Sequence, residues 1–475
     1  MKYFSYLIVL TLLLACEANP TSSSTEPQAI IPQASSMVPS AAVPAWSKNA
    51  CIYEVNIRQI TAEGTFNAFR EQRLDDIAKL GIDILWLMPV YPISSTKRKG
   101  GLGSYYAVSD FRKPNPEFGT EADLRALIER IHALNMKVIF DFVPNHTGWD
   151  HVWLKDHPDW YTQDSLGNVI DPIDPRTGES WGWTDVADLN HENPAMREAM
   201  ISDLEYWLTE YDIDGYRMDV AGEVPAIFWQ TAIPRLRAAK PEVFMLAEAN
   251  QPYLRNDSLF AMDYGWSLHH LLNDVCASGD STSRLKDWYA ENEADYERGF
   301  HMNFITNHDE NSWNGTVAER MGDNWAAAAV LVATFEGMPL IYSGQEAGLN
   351  KRVAFFEKDT IDFSNRDRYD FYTRLHTLKH GNEALWNGSY GGRVNFLDYE
   401  GEQEKTLGFY RAVMDDAVVV FLNFSDEQQT LVLPNGGPYF GAYSMVFPPT
   451  YGSIVNGEVI LPPHGFVVLS KQQQR

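Results

Sequence analysis

Asp141-Phe-Val-Pro-Asn-His146, Gly215-Tyr-Arg-Met-Asp-Val220, Leu246-Ala-Glu-Ala249 and Phe304-Ile-Thr-Asn-His-Asp309 share one pattern. In each, an apolar, strand-like run ends in charged or polar groups. A chain that closes parallel strands into a ring keeps its reactive groups at that end, where the loops that hold a ligand begin. Strand-like and helix-like stretches alternate around these four. Val138-Ile-Phe-Asp-Phe-Val143 is the continuous apolar run of a strand buried on both faces. Before it, Leu124, Leu127, Ile128, Ile131 and Leu134 fall on one helical face, with Thr120 placed as N-cap and Asp123 in the third position. Strands are expected near Ile52–Ile57, Ile82–Pro89, Val138–Val143, Gly215–Val220, Val243–Ala247, Leu259–Asp263, Phe304–Asn307 and Leu340–Ser343. Alternating units of this kind give parallel α/β, and eight of them close a (β/α)8 TIM barrel.

Other regions break the alternation. His146 to Pro194 shows no clear helix pattern and is rich in Trp, Asp, Gly and Pro. Structureless loops of that size are uncommon in compact domains, so a small inserted domain is expected over residues 147–193, after the third strand. It divides the barrel into residues 46–146 and 194–385. From about Trp386 the runs are short and alternating, as in Ala417–Asn423 and Thr430–Pro434, which predicts a C-terminal antiparallel β-sandwich over 386–475. At the other end, Lys2 precedes an apolar run, Tyr6 to Leu14, too short to span a bilayer; residues 1–15 read as a signal peptide. Residues 16–45, rich in Ser, Thr, Pro, Ala and Gln, read as a flexible tether.

Composition narrows the function classes. With 38 basic and 64 acidic residues the net charge is −26, which argues against nucleic acid as a partner. It fits a soluble surface and a neutral ligand. Fourteen Trp and 23 Tyr offer aromatic faces that suit sugar rings, although core packing is the simpler reading for any one of them. Cys51 and Cys276 lie far apart in the chain and are expected to be two separate buried thiols. There is no phosphate-binding glycine loop and no nucleotide motif, so no organic cofactor is expected.

Taken in order, the four segments resemble the α-amylase family of retaining glycoside hydrolases (glycoside hydrolase family 13), over nearly all of the chain after about residue 45. The resemblance implies hydrolysis of α-1,4-glucosidic bonds in starch-like glucans and maltooligosaccharides. That chemistry needs two carboxyls about 5–5.5 Å apart, one as nucleophile and one as acid/base. Asp219, at the end of the fourth strand, is the candidate nucleophile, and Glu248, at the end of the fifth, the candidate acid/base. Neighbouring strands about 4.8 Å apart can bring them to that separation. Arg217 lies two residues before Asp219 on the same strand face, and is expected to lower the pKa of Asp219 and leave the proton on Glu248. By resemblance, Asp309 is a third carboxylate holding substrate hydroxyls. His146 and His308 match two histidines around the reacting sugar, and Tyr106 matches a stacking aromatic. Asp141 belongs to the wall of the site near Arg217, and Glu346 is expected to buttress the barrel.

The same resemblance places calcium ligands at Asn145 and Asp188, and oxygen donors suit Ca²⁺. Calcium-dependent amylases usually carry a Lys-His pair three and four residues after the nucleophile, where this chain has Gly222 and Glu223. That departure removes one expected ligand and one sugar contact, so calcium stands open. It also keeps an exo-acting α-glucosidase, an oligo-1,6-glucosidase or a glucanotransferase beside the α-amylase reading. A non-catalytic glycan-binding surface lipoprotein is the alternative from another class; such a protein should have lost a carboxylate, and all three are present. Finally, Leu13-Leu14-Ala15-Cys16 looks like a bacterial lipobox, which implies lipidation at Cys16. The expected location is extracytoplasmic, in the bacterial cell envelope, with a lipid anchor in a membrane at the periplasm or cell surface.

Overall fold

The computed structural model describes residues 42–174, 176–256, 258–434 and 443–472. The signal peptide, Cys16 and the tether up to residue 41 lie outside the described residues. The tether stops short of residue 45: Ala42 is buried, and Val43 and Trp46 pack under the barrel, Trp46 against Phe244 with ring centroids 5.5 Å apart.

Eight parallel strands close a ring in chain order: β1 (Ile52–Val55), β2 (Ile84–Leu87), β3 (Lys137–Phe142), β4 (Gly215–Met218), β5 (Phe244–Ala247), β6 (Met262–Tyr264), β7 (Phe300–Asn303) and β8 (Met338–Tyr342). The seam is sealed by β8 pairing back onto β1, with Leu340 opposite Ile52. Apart from Lys137 every strand residue is buried, because one face of each strand fills the ring and the other meets the helices. Ile52, Ile84, Ile139, Phe244 and Met338 share the interior, while Tyr53, Leu85, Val138 and Phe140 point out to the helical layer. In that layer, α1 (Glu121–Ala133) starts with the Thr120–Asp123 capping box, and α2 (Pro194–Glu210) starts with Pro at its first turn and the Asn193 side chain accepting from Ala195 and Met196. Gly215 is required where β4 and β5 converge: a Cβ there would lie 1.9 Å from the Phe244 carbonyl oxygen.

Three strands differ from expectation. β1 ends at Val55, and Ile57–Ile60 forms a helical turn. β6 starts later than Leu259, and β7 precedes Phe304 entirely, so Phe304 to Asp309 forms the connection above the strand. The reason for β7 is physical. Its His301 and Asn303 look unsuited to a buried strand, but His301 Nδ1 lies 2.6 Å from Asp263 Oδ1 and Asn303 Nδ2 donates to the Glu336 carbonyl at 2.7 Å. Those partners are remote in sequence.

The inserted segment is anchored by a hairpin of His146–Gly148 and Val186–Asp188 and contains short helical turns at Val152–Asp156 and Pro158–Trp160, which its sequence pattern did not suggest. After the barrel, five antiparallel strands (Asn395–Phe396, Thr406–Val413, Asp416–Asn423, Phe466–Lys471, Ser444–Met445) face a three-stranded sheet (Gln429–Val432, Glu458–Leu461, Ser453–Val455). Val419 and Phe421 meet Leu431, Val459 and Leu461 between the sheets. The alternate residues Val418, Val420 and Leu422 join the barrel's core, so this sandwich has its own interior and a docked outer face. Both Cys51 and Cys276 are free thiols; Cys51 is buried as expected, whereas Cys276 is only half-buried. Tyr53 donates to Glu346 Oε1 at 2.9 Å, with Arg73 at 3.5 Å, at the base of the wall. No helix among the described residues is long and apolar enough to cross a membrane.

Candidate active site

At the C-terminal ends of the strands lies a cavity of about 410 Å³, and Tyr106, His146, Asp219, Glu248, His308 and Asp309 all line it. β4 and β5 are paired in register, Met218 opposite Ala247, so Asp219 and Glu248 follow directly on neighbouring strands. Val220 N–H donates to Glu248 Oε2 at 2.7 Å, which fixes that carboxyl against the turn after Asp219.

Arg217 and Asp141 sit beneath the cavity rather than in its wall, both wholly buried. Arg217 Nη1 donates to Asp219 Oδ1 at 2.7 Å and to Asp141 Oδ1 at 2.8 Å, and its Nε donates to the Tyr264 hydroxyl at 3.1 Å. Its Nη2 lies 2.9 Å from Glu248 Oε2, but at an angle that makes the contact an ion pair without a hydrogen bond. Asp141 Oδ2 accepts from the Trp86 indole and the Tyr106 hydroxyl, both at 3.1 Å. One guanidinium is therefore shared by three carboxyls.

This sharing corrects the expected electrostatics. Burial pushes the Asp219 carboxyl up, and Arg217 only offsets part of the rise. Burial also raises Glu248; there Arg217 pulls down and Asp219 adds to the rise. Burial lifts Asp141 to about 7 and raises Asp309 and Glu54 as well. Five carboxyls thus surround two cationic groups, Arg217 and His308. A cluster so composed holds its protons more tightly than free carboxyls would.

His308 is the second cation. Burial alone would favour its neutral form, but Asp309 and Glu54 raise its pKa to about 9. Its Nδ1 is hydrogen-bonded to Glu54, its Nε2 lies 2.8 Å from the Tyr106 hydroxyl and 3.1 Å from Asp309 Oδ2, and its ring stacks on Tyr106. A raised pKa means that the charge stabilises the fold fully below the unfolded value of about 6.5, and that this contribution is lost as pH rises through about 9. The stability gap between the native chain and His308→Gln should therefore shrink between pH 6.5 and pH 9.5 in urea titrations. A gap that widened over that range would refute a protonated His308. His146 behaves oppositely: burial holds it neutral, with a pKa of about 4.

Sequence reasoning missed Glu54, Trp86 and Tyr264, which hold His308, Asp141 and Arg217 from inside the ring. A single acid within the apolar run Ile52-Tyr-Glu-Val55 was the available signal for Glu54. Also missed were the aromatic walls Trp183, Trp313, Phe355 and Phe356. Tyr105 turns away, its ring under Arg58, so Tyr106 alone of the pair reaches the site. Asn145 and Asp188 lie outside the cavity lining. Asn145 Nδ2 faces His146 Nδ1 at 3.3 Å; burial, with Asp171 adding, lifts Asp188 to about 6, while Thr162 hydrogen-bonds it. Among the described residues, the only close grouping of at least three His, Cys or carboxylate ligand atoms is Cys51, Asp83 and His380, at the opposite end of the barrel.

Comparison with known proteins agrees with this geometry. The model of the α-amylase catalytic domain matches residues 61–369. An α-amylase, MalA, of Haloarcula japonica is 28% identical over 409 residues, covering 83% of this chain and 58% of its own length. A cyclomaltodextrinase of Thermoanaerobacter pseudethanolicus is 28% identical over 395 residues, covering 76% of this chain and 64% of its own. The chain thus spans less than two thirds of these curated relatives. The crystal structure of a noncanonic maltogenic α-amylase from Thermotoga neapolitana superposes with a TM-score of 0.77 at 26% identity, over 90% of this chain and 99% of that one. With most of its barrel matched and the same closed ring of strands, the chain belongs to the α-amylase catalytic-domain family.

Proposed function

We propose that this protein is a retaining glycoside hydrolase cutting α-glucosidic bonds, the α-1,4 bond first, in starch-like glucans and maltooligosaccharides. The observation that carries the reading is the pair Asp219 and Glu248, placed side by side by β4 and β5, open to one cavity and joined below by Arg217. Neighbouring strand ends about 4.8 Å apart fit the separation of a nucleophile and an acid/base in a retaining enzyme, about 5–5.5 Å.

The charge balance assigns the roles. Asp219 receives a hydrogen bond from Arg217, so it is the acid best compensated for ionisation. Glu248 has a backbone hydrogen bond from Val220 and the unaligned ion pair but no hydrogen bond from a charged group, and burial raises it with Asp219 adding to the rise, so it is the one to keep a proton. Glu248 gives that proton to the glycosidic oxygen as Asp219 attacks the anomeric carbon. The C–O bond to the leaving sugar breaks as the bond to Asp219 forms. Glu248, now ionised, takes a proton from water, whose oxygen displaces Asp219. Asp309, His146 and His308 hold the reacting ring, and Tyr106 stacks on it. Asp141 and Arg217 act through the others as positioning residues. Two inversions return the α-anomer, so proton NMR of fresh maltoheptaose digests should show α product first. Initial β product would overturn the double displacement.

Two further readings accompany this one. Lipidation at Cys16 would hold the enzyme in the bacterial envelope, and release of a Cys16→Ser variant from the membrane fraction tests it. Asn145 and Asp188 would offer oxygens to Ca²⁺, but two donors fall short of the roughly six to eight it takes, so no step uses a metal. A fall in melting temperature with EGTA, reversed by Ca²⁺, would support that site; no change would remove it.

A further inference from the structure

One side of the cavity is bounded by three segments from separate parts of the chain that touch one another. The loop after β2 runs through Lys97-Arg-Lys-Gly-Gly-Leu-Gly103. On one flank it is fastened to the inserted segment. Lys99 Nζ lies 2.9 Å from Asp185 Oδ1 and donates to the Gly182 carbonyl at 3.1 Å, while Asp150 Oδ2 accepts from Ser95 N–H at 2.8 Å. On the other flank it abuts the loop after β8. Leu102 N–H donates to the Phe356 carbonyl at 2.9 Å. Gly100 has φ +64°, and a Cβ there would lie 2.4 Å from Phe356 Cβ, so the two loops meet with no room for a side chain. Lys99, Asp185 and Phe356 all line the cavity. The contact is therefore its boundary and not a remote surface.

Strand order gives the boundary a direction. β8, β1 and β2 are consecutive in the ring, and β5, which carries Glu248, lies four strands from β1 either way round. The side so bounded thus faces the proposed acid across the barrel. The acid protonates the oxygen of the departing sugar, so that sugar and whatever follows it toward the reducing end lie on the Glu248 side. The attacked ring, and any units attached to its non-reducing end, point at that boundary. A cavity of about 410 Å³ falls within the range of small-ligand pockets, ~300–1,000 Å³.

We propose that the β2 loop, latched by Lys99 to the inserted segment, makes a blind end for the non-reducing terminus, so that the enzyme attacks glucans from that end and releases short products of fixed length. This rests on the roles given above to Asp219 and Glu248.

The test compares maltoheptaose with maltoheptaose whose non-reducing glucose carries a 4,6-O-ethylidene group. The blind end predicts that the blocked sugar is cleaved at least about tenfold more slowly, the size of discrimination that a steric misfit in a pocket provides. Lys99→Ala should narrow that ratio by speeding cleavage of the blocked sugar. Asp185→Asn, which breaks the same pair from the other side, should do likewise if the Lys99 variant fails to fold. Equal rates for the two sugars in the native enzyme would overturn the blind end and leave the hydrolase reading intact. Cleavage of neither sugar would instead overturn the hydrolase reading, and the blind end with it. An unchanged ratio in a well-folded Lys99→Ala and Asp185→Asn would overturn the latch.

Discussion

Asp219→Asn is expected to lower kcat on maltoheptaose by at least about 10⁴-fold, the scale of loss when one member of a concerted catalytic set is removed. The amide has nearly the shape of the carboxylate, and it can still accept from Arg217 at the 2.7 Å contact. What disappears is the anionic oxygen that forms the bond to the anomeric carbon. Stability should not fall with activity. Burial raises the Asp219 carboxyl, so its ionisation burdens the fold, and a neutral amide relieves that burden. The melting temperature should hold or rise while turnover vanishes. Calorimetry beside product chromatography reads both, and a variant keeping more than about one hundredth of native turnover would deny Asp219 the nucleophilic role.

Arg217→Met should have the larger effect on stability, a loss of about 3–5 kcal/mol, as when one partner of a buried ion pair is deleted. The side chain is wholly buried and serves Asp141, Asp219, Glu248 and the Tyr264 hydroxyl together. The loss should grow with pH. At pH 5 the stranded carboxyls can take protons, whereas at pH 8 the unfolded chain ionises them freely and the fold must hold them neutral or bear their charge. Urea unfolding at the two values reads the difference; a loss no larger at pH 8 than at pH 5 would contradict it. Arg217→Lys should recover little, because one ammonium cannot span contacts that the planar guanidinium makes in three directions.

The ring was legible because strands buried on both faces read as unbroken apolar runs, and Lys137–Phe142 and Met338–Tyr342 are such runs. The lining residues Asp219, Glu248, His308 and Asp309 were legible because their segments, taken in order, resemble one family; a lone acid or histidine at a strand end would not have singled them out. What the sequence hid depends on distance along the chain. β7 was misplaced because His301 and Asn303 are satisfied only by Asp263 and the Glu336 backbone. Glu54 could not be paired in advance with His308, nor Lys99 with Asp185. The ionisation of Asp219 was misjudged for a related reason. Its neighbour Arg217 is visible two residues away, but the rival claims of Asp141 and Glu248 on the same guanidinium appear only once three strands stand side by side.

Glu54 and His308, which face each other across the seam of the ring, are 254 residues apart in the chain. During synthesis at about 5–20 residues per second, β1 therefore waits many seconds for β8, with one edge paired to β2 and the other open. Until β8 emerges, His308 lacks the closed wall that holds Glu54 against it, and a ribosome-released fragment ending before Met338 should bind no sugar however well its first strands pair. The site is complete only once β8 has closed the ring, so binding of a maltooligosaccharide reports that closure more directly than any measure of secondary structure.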